Sequence, residues 1–186
     1  MKKHVITISG NIASGKSEVS KMLSEKLSYE LYKASEEFRK QARINNMSLV
    51  EFNEYLKDKP EIDIYVDECT RKYVKDKDNI IVDARLGFHF VDDAFDVYLK
   101  SDVDTAAARL FLAAKTRGKE EEYTSVLDAK SGIIRRENAE RLRYTKRYNV
   151  DITDTNNYAC VIDTTNVESS EVVDKIIEQY NEWLKD

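Results

Sequence analysis

Residues 10–17 read Gly10-Asn11-Ile12-Ala13-Ser14-Gly15-Lys16-Ser17, the full G-x-x-x-x-G-K-[ST] spacing of a phosphate-binding loop. Such a loop functions only where a strand runs into it and a helix leaves it. The segment before it, His4-Val5-Ile6-Thr7-Ile8-Ser9, is short and β-branched and predicts a strand. After it, Val19, Met22, Leu23 and Leu27 recur at helical spacing. Gly10 and Gly15 let the backbone curl so that successive N–H groups face phosphate oxygens. Lys16 adds a point charge for the outer phosphates, and the helix N-terminus adds its partial positive charge. The Ser17 hydroxyl is the expected ligand of Mg²⁺. All eight residues, Asn11, Ile12, Ala13 and Ser14 included, are expected to hold the phosphates of a nucleotide.

Further strands are predicted at Tyr29–Lys33, Asn79–Asp83, Phe95–Leu99 and Tyr158–Asp163. Helical patterns separate them. Ser48-Leu49-Val50-Glu51 is a capping box with an apolar face of Leu49, Phe52 and Leu56 behind it. Pro60 opens a helix running to about Asp76. Ser101 is expected to cap a helix carrying Val103, Ala107, Leu110, Phe111 and Ala114. From Lys115 to about Asp154 the chain is very polar, with helix expected to break near Gly118 and Gly132. A last helix, Glu171 to Lys185, should bury Val173, Ile176, Ile177, Tyr180 and Leu184. Alternating strands and helices imply an α/β domain with a mostly parallel sheet covered on both faces. Residues 34–77 and 115–153 look like helical excursions from it, an arm that holds a substrate and a lid.

At 186 residues the chain has the length of one domain. No apolar run approaches a membrane span. The apolar run behind Met1-Lys2-Lys3 is too short for a signal peptide, so a cytoplasmic protein is expected. A net charge of −5 argues against a general nucleic-acid binder. Cys69 and Cys160 lack Cys or His neighbours at metal-ligand spacing and are read as structural. Nothing in the sequence demands a dimer.

A second group of residues carries chemistry. Asp83 ends the third predicted strand, where a carboxylate can reach the Mg²⁺ of the loop. Arg85 follows at the mouth of the same cleft, since ligands of such sheets bind at the carboxyl ends of strands. Further on come Arg135-Arg136-Glu137, Arg141, Arg143 and Arg147. On one helix Arg136, Arg143 and Arg147 share a face and Arg141 lies off it. Such cations suit the neutralisation of a transferring phosphoryl group; equally, they suit a solvated helix with pairs such as Glu137–Arg141.

With these residues assembled, the chain resembles the archaeal-type cytidylate (CMP) kinases among the nucleoside monophosphate kinases. The resemblance rests on the loop, on Phe38-Arg39, Met47 to Phe52 and Pro60-Glu61-Ile62-Asp63, and on Asp83-Ala84-Arg85-Leu86-Gly87. Most specific is Arg136-Glu137-x-x-Glu140-Arg141-x-Arg143-Tyr144, followed by Tyr148, Val150-Asp151-Ile152, Asp154, Tyr158 and Val161 to Thr164. It implies that Arg39 and Arg85 hold the acceptor phosphate. It implies that Arg136, with Arg141 or Arg143 or both, closes on the transferring phosphoryl, and that Arg109 lies near the adenine of ATP. Asp151 and Asp154 would order the lid or contact the acceptor.

Three positions depart from the family pattern: Ser35 and Ala84 stand where it has glycine, and Ala113 where it has arginine. The insert around Lys119–Lys130 is long. The expectation is therefore a P-loop kinase with a five-stranded parallel sheet ordered 2-3-1-4-5. It would use ATP and Mg²⁺ on CMP or dCMP as a monomer, with no nucleic acid or membrane as partner. A different small acceptor, or nucleotide binding without phosphotransfer, stays open.

Overall fold

A computed structural model describes residues 2–117 and 123–185. The strand ahead of the loop is β1 (Val5–Gly10), buried at all six positions. That burial on both faces is why its sequence is almost continuously apolar. The other strands are β2 (Glu30–Lys33), β3 (Ile80–Asp83), β4 (Phe95–Lys100) and β5 (Cys160–Asp163). All neighbours pair in parallel, in the order β2-β3-β1-β4-β5. The strand order reverses at β1, so a crevice opens at its carboxyl end between β3 and β4, where the loop begins.

The helices are α1 (Lys16–Leu27), α2 (Ala34–Ile44), α3 (Leu49–Tyr55), α4 (Pro60–Val74), α5 (Gly87–Phe90), α6 (Val103–Arg117), α7 (Val126–Tyr148) and α8 (Ser169–Trp183). One sheet face, with Ile6, Ile8, Val97 and Leu99, packs on Val19 and Leu23 of α1 and on Val173 and Ile176 of α8. The other face carries Val5, Ile80 and Val82 against Val74 of α4 and Val91. A separate core of Ala42, Leu49, Phe52 and Leu56 joins α2 and α3 beside the sheet. Ile12 of the loop packs with Ala106, Ala107 and Leu110 of α6 and with Ala129 and Ile133 of α7. The loop is thus wedged between the sheet and the long helix.

Local signals were obeyed where side chains reach their own backbone. Ser48 and Glu51 form the reciprocal capping box, with Glu51 Oε2 accepting the Ser48 N–H at 2.9 Å. Pro60 stands in the first turn of α4.

Two expectations need correction. The cap of α6 is Asp102 rather than Ser101, because its Oδ1 accepts the N–H groups of Asp104 and Thr105 at 3.0 and 2.9 Å. Gly132 does not break α7, which runs unbroken from Val126 to Tyr148. The glycine is there for packing: a Cβ would lie 2.7 Å from Cε1 of the Tyr123 ring. The short α5, formed directly after Arg85, was not foreseen. The expected break at Gly118, and the start of the insert at Lys119, lie outside the described residues. Among the described residues no helix is long and apolar enough to cross a membrane.

Candidate active site

The loop's curl comes from positive φ at three positions: Gly10 at 144°, Ala13 at 58° and Gly15 at 88°. Only glycine serves at position 10, because a Cβ there would lie 2.0 Å from the Leu99 carbonyl oxygen. The Asn11 N–H donates to that same carbonyl at 3.0 Å, stitching the loop to β4. Thr164, at the end of β5, donates its hydroxyl to the Ser14 carbonyl at 2.9 Å. Both flanks of the loop are therefore held by neighbouring strands.

Lys16 folds over the loop and donates to the carbonyls of Gly10 and Asn11 at 2.9 and 2.5 Å. Burial, and then the charge of Arg85, push its ammonium down to about 7, against the pull of Asp83 and Glu140. Ser17 Oγ lies 3.3 Å from Asp83 Oδ2. Burial raises the carboxyl of Asp83 above its ordinary value, while Lys16 and Arg85 draw it back. This pair of hard oxygens suits Mg²⁺, which takes one or two protein ligands and completes its shell with water and phosphate.

Arg85 leaves the end of β3, donates to the Gly10 carbonyl, and lies with Nε 3.1 Å from Glu140 Oε2 of α7. The N–H is not aimed at that oxygen, so the contact is an ion pair rather than a hydrogen bond. Burial disfavours the Arg85 charge, but Glu140 and Glu137 overcome it and raise the pKa. Burial likewise opposes ionisation of Glu140, and Arg85, Arg136 and Arg143 together hold its carboxyl below the usual range.

One cavity of about 610 Å³ receives most of these groups. Lys16, Ser17 and Asp83 line it beside Arg85 and Arg136. Arg39 enters from α2 on the arm side, and Arg109 from α6 on the opposite side. Arg109 is anchored by donating to the carbonyls of Thr164 and Thr165 at 2.8 and 3.2 Å.

The remaining predicted residues lie elsewhere. Arg141 is directed at Asp151, donating from Nε and Nη2 to Oδ2 at 3.0 and 2.6 Å. Asp151 also accepts from Thr153. Asp154 accepts the Asn156 N–H and starts a short 3₁₀ turn. Arg143 is buried and reaches the Asn53 side-chain oxygen at 3.3 and 3.4 Å, tying α7 to α3. None of Arg141, Arg143, Asp151 and Asp154 lines the cavity. The Glu137–Arg141 pair of the alternative, solvated-helix reading does not form, and each residue has a remote partner instead: Glu137 Oε1 accepts the Ile12 N–H at 2.9 Å and the Asn11 amide at 3.2 Å. Glu137 and Glu140 escaped assignment from sequence. For Glu140 the available signal was a carboxylate four residues after Arg136 and three before Arg143.

A Gly-rich loop at the carboxyl end of the central strand, an acid closing the adjacent strand, and cations converging from several helices define a P-loop kinase fold. The chain belongs to the cytidylate kinase-like family, whose model matches residues 5–166. It is 34% identical over 184 residues to a cytidylate kinase of Thermoplasma acidophilum, covering 97% of this chain and 94% of that one. It is 37% identical over 179 residues to an S-adenosylmethionine-dependent nucleotide dehydratase of Lacinutrix mariniflava. That match covers 96% of this chain, which spans 36% of the relative's length. Among solved structures, a shikimate kinase from Acinetobacter baumannii matches with a TM-score of 0.60 at 13% identity, covering 97% of this chain and 94% of that one, a likeness of fold.

Proposed function

We propose that the protein transfers the γ-phosphoryl group of ATP to CMP or dCMP, giving ADP and CDP or dCDP. The observation that carries this reading is the single cavity in which Lys16, Arg85 and Arg136, from three separate elements, face an arm that contributes Arg39. Two anionic substrates must meet in such a reaction, and cations on all sides are what allow it.

The donor phosphates lie on Gly10–Ser17, where Lys16 exchanges the loop carbonyls for phosphate oxygens. Ser17 and Asp83 would hold Mg²⁺, which would supply charge shielding of the donor phosphates. Arg39 and Arg85 hold the acceptor phosphate, and Arg109 offers its guanidinium face to the adenine. An oxygen of the acceptor phosphate attacks the γ-phosphorus, and the bond from that phosphorus to the β–γ bridging oxygen breaks. The attacking oxygen is already ionised, so no general base is needed, and catalysis consists of positioning and charge neutralisation. Arg136 is the α7 arginine assigned to the transferring group, because it lines the cavity.

The relative named as a dehydratase does not redirect this reading. The stretch shared with it, about a third of its length, is also nearly the whole of a cytidylate kinase. The test is release of ADP from Mg·ATP with CMP, dCMP, UMP, AMP, GMP or no acceptor. Release dependent on CMP or dCMP is expected; binding of ATP without release on any nucleotide would overturn the assignment.

A further inference from the structure

A cavity that must hold two anions is itself lined by acids. Among the described residues these are Glu18, Asp67, Asp83, Glu140 and Glu168. Only Asp83 and Glu140 are buried, each 5% exposed. Asp83 faces Ser17. Glu140 has no part in the transfer scheme, and its charge opposes the binding of a phosphate beside it.

Its setting differs from that of an acid that serves the scaffold. Glu137, one turn earlier on α7, accepts directed hydrogen bonds from the Ile12 N–H and the Asn11 amide. Asp151 accepts from Arg141 and from Thr153. Glu140 Oε2, by contrast, is buried and accepts no hydrogen bond among the described residues. It lies 3.1 Å from Arg85 Nε as an ion pair. Arg136, Arg143 and Lys16 add their charges around it. A buried carboxylate oxygen without a hydrogen bond is costly, so the surrounding cations are what keep it in place.

The consequence falls on Arg85. That guanidinium is fixed at two points, with Nη1 donating to the Gly10 carbonyl and Nε facing Glu140. Its two Nη atoms carry four N–H groups between them, so a guanidinium held at Nε still has donors for phosphate oxygens. We infer that Glu140 is a positioning residue for phosphoryl transfer: its carboxylate holds Arg85 at Nε so that the Nη edge meets the acceptor phosphate. This rests on the phosphotransfer reading and deepens it. The same carboxylate repels that phosphate, so it weakens anion binding while raising the rate of the step. Glu140 lies one turn from Arg136 on α7, so both arginines at the reacting group are set by one helix.

The experiment compares Glu140→Gln and Glu140→Asp with wild type. It reads kcat and KM for CMP with Mg·ATP, the dissociation constant of inorganic phosphate by calorimetry, and a melting temperature for each. Glu140→Gln keeps the shape and removes the charge. Its kcat is expected to fall roughly tenfold or more, because the acceptor phosphate is no longer aimed. Inorganic phosphate should bind it roughly threefold tighter or more, because an opposing charge is gone. Glu140→Asp keeps the charge but is one methylene too short for Arg85, so kcat falls at unchanged phosphate affinity. A carboxylate that served only the scaffold would lower the melting temperature and leave kcat near wild type in both variants. That result overturns the inference and leaves the kinase reading intact. A lowered kcat in Glu140→Gln with phosphate binding unchanged or weaker overturns it equally. If Glu140→Gln does not fold, Glu140→Asp decides: lowered kcat at unchanged phosphate affinity supports the inference, and any other result overturns it. Absence of turnover by the wild type on every nucleotide overturns both readings.

Discussion

Glu137 accepts the backbone N–H of Ile12 at 2.9 Å, so a carboxylate of the long helix α7 grips the phosphate loop from outside. With the 3.2 Å bond from the Asn11 amide, it fixes the first half of the loop relative to the helix that also carries Arg136. Removing the carboxylate should loosen the donor site. Glu137→Ala is expected to raise KM for Mg·ATP by roughly three- to tenfold, as for the loss of one charge-assisted hydrogen bond. Glu137→Gln, whose amide oxygen still accepts the Ile12 N–H, should fall between Ala and wild type. Equal KM values across the three proteins would show that the grip does not order the loop.

Lys16 is the cation assigned to the outer phosphates of the donor. Lys16→Ala should abolish nearly all ADP release, because it removes the ammonium held on the loop carbonyls of Gly10 and Asn11. Retention of more than about a tenth of the wild-type rate would show that the lysine is misassigned.

The two buried arginines of α7 should separate cleanly by assay. Arg136 lines the cavity, and Arg136→Ala should lower kcat by roughly a hundredfold or more. Arg143 holds Asn53 of α3, and its truncation strands that buried amide oxygen. Arg143→Ala should therefore cost about 2–4 kcal/mol of stability, read in denaturant melts. The reverse pattern, a stable but inactive Arg143 variant, would place that residue at the reacting centre.

Asp96 gives a pH signature remote from the cavity. Burial pushes its carboxyl from 3.8 up to about 6, and the hydrogen bond from Thr7 at 2.5 Å offsets this only in part. The folded state thus binds the proton more tightly than the unfolded state, and stability falls as pH rises from about 4 to about 6. Asp96→Asn keeps an acceptor for Thr7 and removes the buried charge. Its melting temperature should exceed that of wild type at pH 8, and the difference should shrink toward zero near pH 4. A constant difference across that range would exclude the ionisation as its cause.

Much of the site was legible because its signals are local. The loop spacing, the β-branched strand before it and the acid at the end of β3 led to the Ser17–Asp83 approach. The capping box at Ser48 and Glu51 formed as written, since both partners lie within one turn. The Ser101 cap failed by one residue because Asp102, beside it, is the stronger acceptor for two N–H groups. The Gly132 break failed because a glycine can be required by a neighbouring ring as well as by a turn.

The arginines of α7 show where such reading stops. Helical spacing assigns Arg136, Arg141 and Arg143 to faces of one helix, and it is silent about what each face meets. In the fold they diverge to the cavity, to Asp151 and to Asn53. The sequence by itself determined the loop, the alternation of strands and helices, and the chemistry at the strand ends, because backbone geometry and short-range hydrogen bonds need no distant partner. Only the tertiary structure decided which charges serve the cavity and which serve the scaffold. That choice depends on partners far along the chain, such as Asn53, 90 residues from Arg143, and on the burial that forces each charge to find one.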